Sequence, residues 1–330
     1  MLGALTAFIL IQQGRPVIHA IDGYTMGSTW SVRFVGGRDV DVDAVRAALE
    51  AELAELNRQL SGYQPDTALS VFNRSPIGEW HALPAHLAAV LSFGKQLHES
   101  SGGGFDMTLR PLVNLWGFGA AEPRTAPPSD AEIAAVLAGF GSRYLEAAPD
   151  GTRWRRTADV SVDVDSTAPG YAADVLSSWL AGSGHPDHLV EVGGELRAEG
   201  LRPDGSAWRV GIERPVAERG VVEQVIAVSG TGVATSGDYR SFFERDGKRY
   251  SHTLDPVTGR PVEHSLASVT VLAPTGMAAD GYATAIMVMG PEKGMAFAGS
   301  HALAVYMLVR EAEGFREVYN ERFAPYLATR

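Results

Sequence analysis

The chain of 330 residues contains no cysteine. Disulfides, thiolate zinc sites, iron–sulfur clusters and cysteine nucleophiles are thereby excluded, and any metal must be held by oxygen or imidazole. A basic excess is also missing: 28 Lys and Arg stand against 39 Asp and Glu, for a net charge of −11. Nucleic acid and anionic membrane surfaces need a cationic footprint, so neither is expected as the main partner. A phosphorylated ligand would need local compensation from backbone N–H groups, a few Arg or Lys side chains, or a divalent cation. Long apolar runs are scarce as well. The single candidate, MLGALTAFILI at the N-terminus, is too short to span a bilayer. It has the look of an export-signal core, although no Lys or Arg precedes it and no lipoprotein cysteine follows. Residues 1–20 therefore read as an export-signal remnant or an N-terminal helix, and 21–330 as a single domain.

Several nucleotide and hydrolase motifs are absent too. There is no Walker loop, no H-E-x-x-H and no G-x-S-x-G elbow. GTGVATSG (230–237) does not fit G-x-G-x-x-G and has no crossover helix after it, so it reads as a turn between strands.

What remains is an ordinary globular composition, 45% hydrophobic and 20% charged, with short strands and helices interleaved without a regular βαβ repeat. The fold class expected is α+β, with mixed or antiparallel sheets and flanking helices in two lobes. Residues 15–34 predict a strand pair broken at Gly23 and Gly27. A helix capped by Asp43 should carry Val45, Leu49, Leu53, Leu56 and Leu60 on one face. SDAE (129–132) predicts a capping box, and the Pro-rich stretch 120–130 a boundary or mobile loop. Strands are expected at 144–147, 153–157, 160–164, 188–192, 195–199, 207–213, 222–228, 266–272, 303–310 and 314–319. Helices should start near Pro84 and cover 170–180 and 277–289. ERDGKR (244–249) reads as a hairpin with Asp-Gly at its tip.

Four segments bear chemistry. In RYSHTLDPVTGRP (249–261), His252 precedes a turn stiffened by Pro256, Gly259 and Pro261, and Asp255 either fixes the imidazole or serves the turn. In AADGYATA (278–285), Asp280 and Thr284 lie one helical turn apart on one face. They suit a hard cation such as Mg²⁺, or they act as a helix cap and a hydroxyl bonded back to the preceding turn. VDVDSTAPGYAAD (162–174) leads from a strand into a helix entrance, a place for a phosphate or for solvated acids. SGGGFDMTLRPLVNLWGFG (101–119) sets glycines beside aromatic residues, either as core or as a surface for a planar ring.

With MGSTWSV (26–32) and SGYQPDTALSVFN (61–73), these segments occur in the order and style of the bacterial ApbE flavin transferases, which the chain resembles from about residue 22 to 320. The resemblance implies a fold with two lobes around a flavin site. It implies Mg²⁺-dependent transfer of the FMN half of FAD to a threonine of a target flavoprotein, with release of AMP. FAD contacts would fall on Met26, Tyr63, Gly104, Phe105, Asp106, Asp163 and His252. The metal would be held by Asp280, Thr284 and the backbone oxygen of Ser166, and His252 and Asp280 would carry the chemistry. Pro169, also counted among the FAD-binding positions, stands where the family usually has a charged or polar residue, and Asp165 where a small residue is usual. Those two departures keep open a second reading, a non-catalytic FAD carrier or assembly factor. The resemblance also implies a setting in the periplasm or on the periplasmic side of the inner membrane, reached through the N-terminus or the target protein.

Overall fold

β1 (Val17–Thr25) and β2 (Ser28–Gly36) make the first hairpin. Their two-residue connection, Met26-Gly27, has φ of 49° and 72°, the type I′ geometry whose twist matches the flanking strands. Gly23 does not break the strand. It lies within β1 opposite Trp30, whose indole fills the space a Cβ would take. Residues 17–20, expected in an N-terminal leader, are part of β1. The computed structural model describes residues 16–119, 124, 126–216, 218, 220–239, 242–245 and 247–328. The apolar N-terminal run, much of the Pro-rich stretch and Asp246 at the hairpin tip lie outside the described residues.

After residues 37–187 the chain returns to the sheet as β3 (His188–Val192) and β4 (Glu195–Glu199). β5 (Thr231–Gly237), β6 (Leu266–Ala273), β7 (Ala304–Glu311) and β8 (Gly314–Tyr319) complete it. The eight strands lie side by side in chain order, and every neighbouring pair is antiparallel. Every functional segment is therefore an excursion between two adjacent strands. Of the glycine run 230–237, only Gly230 (φ 65°) belongs to a turn, and residues 231–237 are β5 itself. Its glycine serves close approach: a Cβ on Gly232 would fall 2.3 Å from the carbonyl carbon of Thr275, so only glycine lets the next helix start against this strand.

The long excursion carries α1 (Val42–Leu60), α2 (Ala68–Asn73), α3 (Ala85–Ser100), α4 (Arg110–Leu115), α5 (Asp130–Gly139) and α6 (Ala168–Gly182). The cap of α1 is Asp41, which accepts from the Ala44 N–H, and Asp43 sits in the first turn. The capping box of Ser129 and Glu132 is present. α7 (Gly276–Ser300) runs past the expected end at 289, with a break at Gly290 (φ 79°) before Pro291. Proline removes a helical N–H and glycine absorbs the bend.

Residues 160–164 are extended and alternate buried Val160, Val162 and Val164 with less buried neighbours, yet they form no ladder. The Asn73 side chain takes the place of a strand partner: it accepts from the Val162 N–H (2.7 Å) and donates to the Val162 carbonyl (2.8 Å). Asp163 N–H then donates to the Met107 carbonyl at 2.6 Å.

The sheet is buried on both faces where it meets α7. Val269, Val271, Val305 and Met307 pack with Ala279, Ala283 and Ile286. Leu272, Tyr306 and Leu308 face the opposite way, onto the strand pair Trp208–Glu213 and Val222–Val228. A third cluster joins β1 to β3 with α1, α3 and α6. A smaller one under α4 and α5 holds Leu112, Trp116, Ile133, Phe140 and Leu254.

Candidate functional site

A cavity of about 620 Å³ opens between the helical excursion and the sheet, a size usual for cofactor sites. Among the residues that line it are Gly104, Phe105, Asp106, Asp163, Ser166, His252, Asp280 and Thr284. Eight of the sequence-derived positions thus converge from four separate segments. Met26, Tyr63 and Pro169 do not line it. Met26 sits at the tip of the β1–β2 hairpin and packs on the core beneath α1. Tyr63 is 69% exposed, and its hydroxyl donates to Oδ2 of Asp165 (2.8 Å) at the rim. The ring of Pro169 abuts Gly193, itself a lining residue.

The Asp280 side is built by two helices that touch. α6 and α7 cross at Gly170 and Gly276, where a Cβ on either would stand 2.4 to 2.5 Å from the other's carbonyl oxygen. The closeness brings the Gly170 N–H to 3.2 Å from Oδ2 of Asp280. Asp174, one turn along α6, accepts from the N–H groups of Gly276 (2.6 Å) and Met277 (2.9 Å) at the start of α7. One helix therefore caps the other, and Thr275 adds its own cap to Ala278. Asp280 is 6% exposed. Burial pushes its carboxyl up to about 7, against the pull of the Gly170 N–H and with the Asp174 charge adding to the rise. Burial also raises Asp174.

Asp280 with its one N–H partner, Thr284 one turn on and Ser166 line the same cavity and offer hard oxygen donors. Thr284 Oγ1 lies 3.5 Å from Ser236 Oγ across the cavity wall. No group of three or more His, Asp or Glu that could hold a metal occurs among the described residues. A cation here would depend on mixed oxygen donors, and the residues present fit Mg²⁺ or Ca²⁺ better than a softer metal.

His252 follows the strand Lys248–Ser251 and meets Phe118 edge-on, with ring centroids 6.4 Å apart. The turn after it is rigid for reasons visible in its contacts. The Asp255 carboxylate accepts from the Val257 N–H (2.8 Å) and the Thr258 hydroxyl (3.0 Å). Of its two expected roles, Asp255 thus performs the turn-forming one. The Trp116 indole donates to the Gly259 carbonyl at 2.8 Å. Trp116 is buried core and no platform for a planar ring, whereas Phe118 lines the cavity.

Asp106 is occupied structurally. Its carboxylate accepts from the Thr108 N–H and hydroxyl and from the Ser142 N–H and hydroxyl, with His98 Nδ1 at 3.3 Å. It holds the Gly104–Phe105 wall in place, so any ligand contact at this position falls to the backbone or the wall it shapes.

Two participants escaped the sequence. Asp174 carried no signal beyond its place one turn after Gly170, and its partners lie a hundred residues away. Arg110 sits inside a motif already noted, yet nothing in the spacing ties it to Asp163, with which it pairs at 2.9 Å.

These features have counterparts in known proteins. The ApbE family matches over residues 26–307. The FAD:protein FMN transferase of Klebsiella pneumoniae (strain 342) is 37% identical over 310 residues, covering 93% of this chain and 89% of that one. Among solved structures, the apo form of the Pseudomonas stutzeri flavinyl transferase ApbE superposes with a TM-score of 0.85 at 41% identity, covering 95% of this chain and 98% of that one. The flavin transferase ApbE from Vibrio cholerae gives 0.86 at 36% identity, with 94% and 100% covered. With fold and sequence in agreement along nearly its whole length, the chain belongs to the ApbE family.

Proposed function

We propose that this protein transfers the FMN half of FAD to a threonine hydroxyl of a target flavoprotein, with Mg²⁺ bound at Asp280. The observation that carries the reading is the convergence of Ser166, His252, Asp280 and Thr284 on one cavity walled by Gly104 and Phe105. The transferase names of the relatives support it.

In the reaction the acceptor oxygen attacks the FMN-side phosphorus of FAD, and a new P–O bond forms. The bond from that phosphorus to the bridging oxygen breaks, and AMP leaves with the bridging oxygen. The hydroxyl proton must go to a base. His252 fills that role: imidazole titrates nearest neutrality of the side chains, and the stiff 254–261 turn holds it at the cavity wall. Asp280, Thr284 and the Ser166 carbonyl would hold the cation. Once bound, the cation would neutralise the diphosphate oxygens and the charge growing on the departing phosphate. Gly104 and Phe105 offer a flat wall for a planar ring, kept in shape by the Asp106 network. The setting we infer is the periplasm, where a target flavoprotein would present its threonine.

The test is mass. The purified protein is incubated with FAD, Mg²⁺ and a candidate acceptor protein, and the acceptor is weighed. A gain of one FMN that disappears with EDTA is expected, with AMP released in equal amount. Tight FAD binding with no adduct on any acceptor would support the carrier reading instead.

A further inference from the structure

Six carboxylates line the cavity: Asp106, Asp163, Asp165, Glu195, Glu213 and Asp280. Among the described residues that line it, Arg110 is the one Arg or Lys. An anionic diphosphate entering such a pocket meets like charge on most sides, and a single cation at Asp280 answers only one of them.

Arg110 is held by contacts from two segments, 62–63 and 163–165. It sits in the first turn of α4. Its guanidinium reaches Oδ2 of Asp163 at 2.9 Å and Oδ2 of Asp165 at 3.8 Å, and it lies 5.2 Å from the centroid of the Tyr63 ring. Tyr63 in turn donates to the same Oδ2 of Asp165, and the Asp165 N–H donates to Oδ1 of Asp163 at 2.9 Å. Gly62 makes room for the arrangement, because a Cβ there would lie 3.1 Å from Nη2 of Arg110. Arg110 is only partly covered, with 24% of its side chain exposed.

We propose that Arg110 is a ligand-binding residue of this site: it neutralises the Asp163–Asp165 pair and presents the cavity's guanidinium to the diphosphate of the dinucleotide. The proposal rests on the reading that the cavity takes FAD. It accounts for Asp165, which stands where a small residue was expected, since the added negative charge has a built-in partner. It also accounts for Tyr63, which lies off the cavity wall yet braces both Asp165 and the guanidinium. Burial and the Asp165 charge raise Asp163, and Arg110 opposes them, as a shared cation between two carboxylates must.

The experiment is equilibrium titration of FAD by fluorescence quenching, with EDTA and separately with Mg²⁺, on the full chain and on R110Q, R110K, D165N and R110Q/D165N. R110Q keeps the length of the side chain and removes its charge; loss of one charge-assisted contact should weaken FAD binding about tenfold or more in both conditions. R110K should fall between R110Q and the parent, because the charge survives and the fork does not. D165N should bind as well as the parent or tighter. The double variant should recover the part of the loss that comes from an unneutralised Asp165, and should still bind more weakly than D165N because the diphosphate contact is missing. Thermal melts of all variants separate folding from binding, and if R110Q does not fold, R110K against D165N decides the same question. Equal affinity of R110Q and the parent, or of the double variant and D165N, overturns the role of Arg110. A parent protein that binds no FAD in either condition overturns the functional reading itself.

Discussion

The N–H of Gly170 donates to Oδ2 of Asp280 at 3.2 Å, so the helix that follows the cavity-lining Ser166 fixes a carboxylate that lines the cavity from α7. Gly170 lies in the first turn of α6, where N–H groups have no partner within the helix. The contact exists because Gly170 and Gly276 let the two helices meet backbone to backbone.

Gly170→Ala should therefore damage both stability and site. Its Cβ would fall 2.4 Å from the Gly276 oxygen and 2.9 Å from Cβ of Asp280, and backbone cannot yield as a side chain does. We expect a loss of about 1–3 kcal/mol in urea unfolding, together with weaker stabilisation by Mg²⁺. An unchanged midpoint with intact Mg²⁺ response would show that the crossing has slack.

Asp280 gives the metal-free protein a pH signature. Its folded-state carboxyl is pushed up to about 7 by burial, well above the unfolded value of about 3.9. Between those values the folded state holds a proton that the unfolded state has released, so stability falls as pH rises through this window and levels off above it. Asp280→Asn lacks that proton equilibrium. In EDTA the parent should lose stability relative to D280N from pH 5 to pH 7, with little further change above pH 8. A constant difference across that range would mean that Asp280 ionises normally. The same variant should abolish FMN transfer.

Asp174→Ala removes the acceptor shared by the Gly276 and Met277 N–H groups. A lost helix cap costs about 1–2 kcal/mol, and here the helix concerned carries Asp280 and Thr284. D174A should lower the melting temperature and the apparent Mg²⁺ affinity together, with D174N restoring part of both. A fall in melting temperature alone would confine Asp174 to the scaffold.

His252→Ala should slow transfer more than it weakens FAD binding. General-base assistance is worth about a hundredfold to ten-thousandfold, whereas loss of one neutral contact weakens binding by about tenfold. The comparison is kcat for acceptor labelling against the Kd from FAD titration. Equal losses in both would make His252 a ligand contact and leave the proton to another group.

Asn73→Ala should destabilise out of proportion to its size. The side chain satisfies both the N–H and the carbonyl of Val162, and each orphaned buried group costs about 1–3 kcal/mol. The loss should show in thermal unfolding and in FAD binding, since Asp163 and Ser166 follow on the same segment. A variant with parental stability and affinity would mean that water replaces the amide.

Most of the elements were legible because their signals are local. The 188–192 and 195–199 strands carry their own alternation, and Ser129 with Glu132 announces a helix start. Gly232 misled for the opposite reason. A glycine chosen so that Thr275 can approach looks the same in sequence as one chosen for a turn. The extended stretch 160–164 has strand periodicity without a strand, because Asn73, almost ninety residues away, replaces the ladder. In the site, short motifs pointed to Asp280, Thr284 and His252, each with chemistry of its own, and the family resemblance added Ser166. Arg110 and Asp174 act only through partners distant in sequence, and no spacing rule connects them. Asp106 was found for its position, but its carboxylate is engaged by Thr108 and Ser142, an arrangement set entirely by tertiary contacts.

The chain-order sheet also has a consequence for how the molecule assembles. β5 to β8 are joined by comparatively short excursions, so their pairing can form early. The pairing of β2 with β3 must wait for residues 37–187 to be gathered in. The entropic cost of closing that loop rises only slowly with its length, but the helices inside it must dock before Gly170 can meet Asp280. On dilution from denaturant, strand formation followed by far-ultraviolet circular dichroism should therefore precede recovery of FAD quenching. On that order the cavity would be the last part of the molecule to come into being, and a chain caught midway would be a folded sheet with nowhere to hold a flavin.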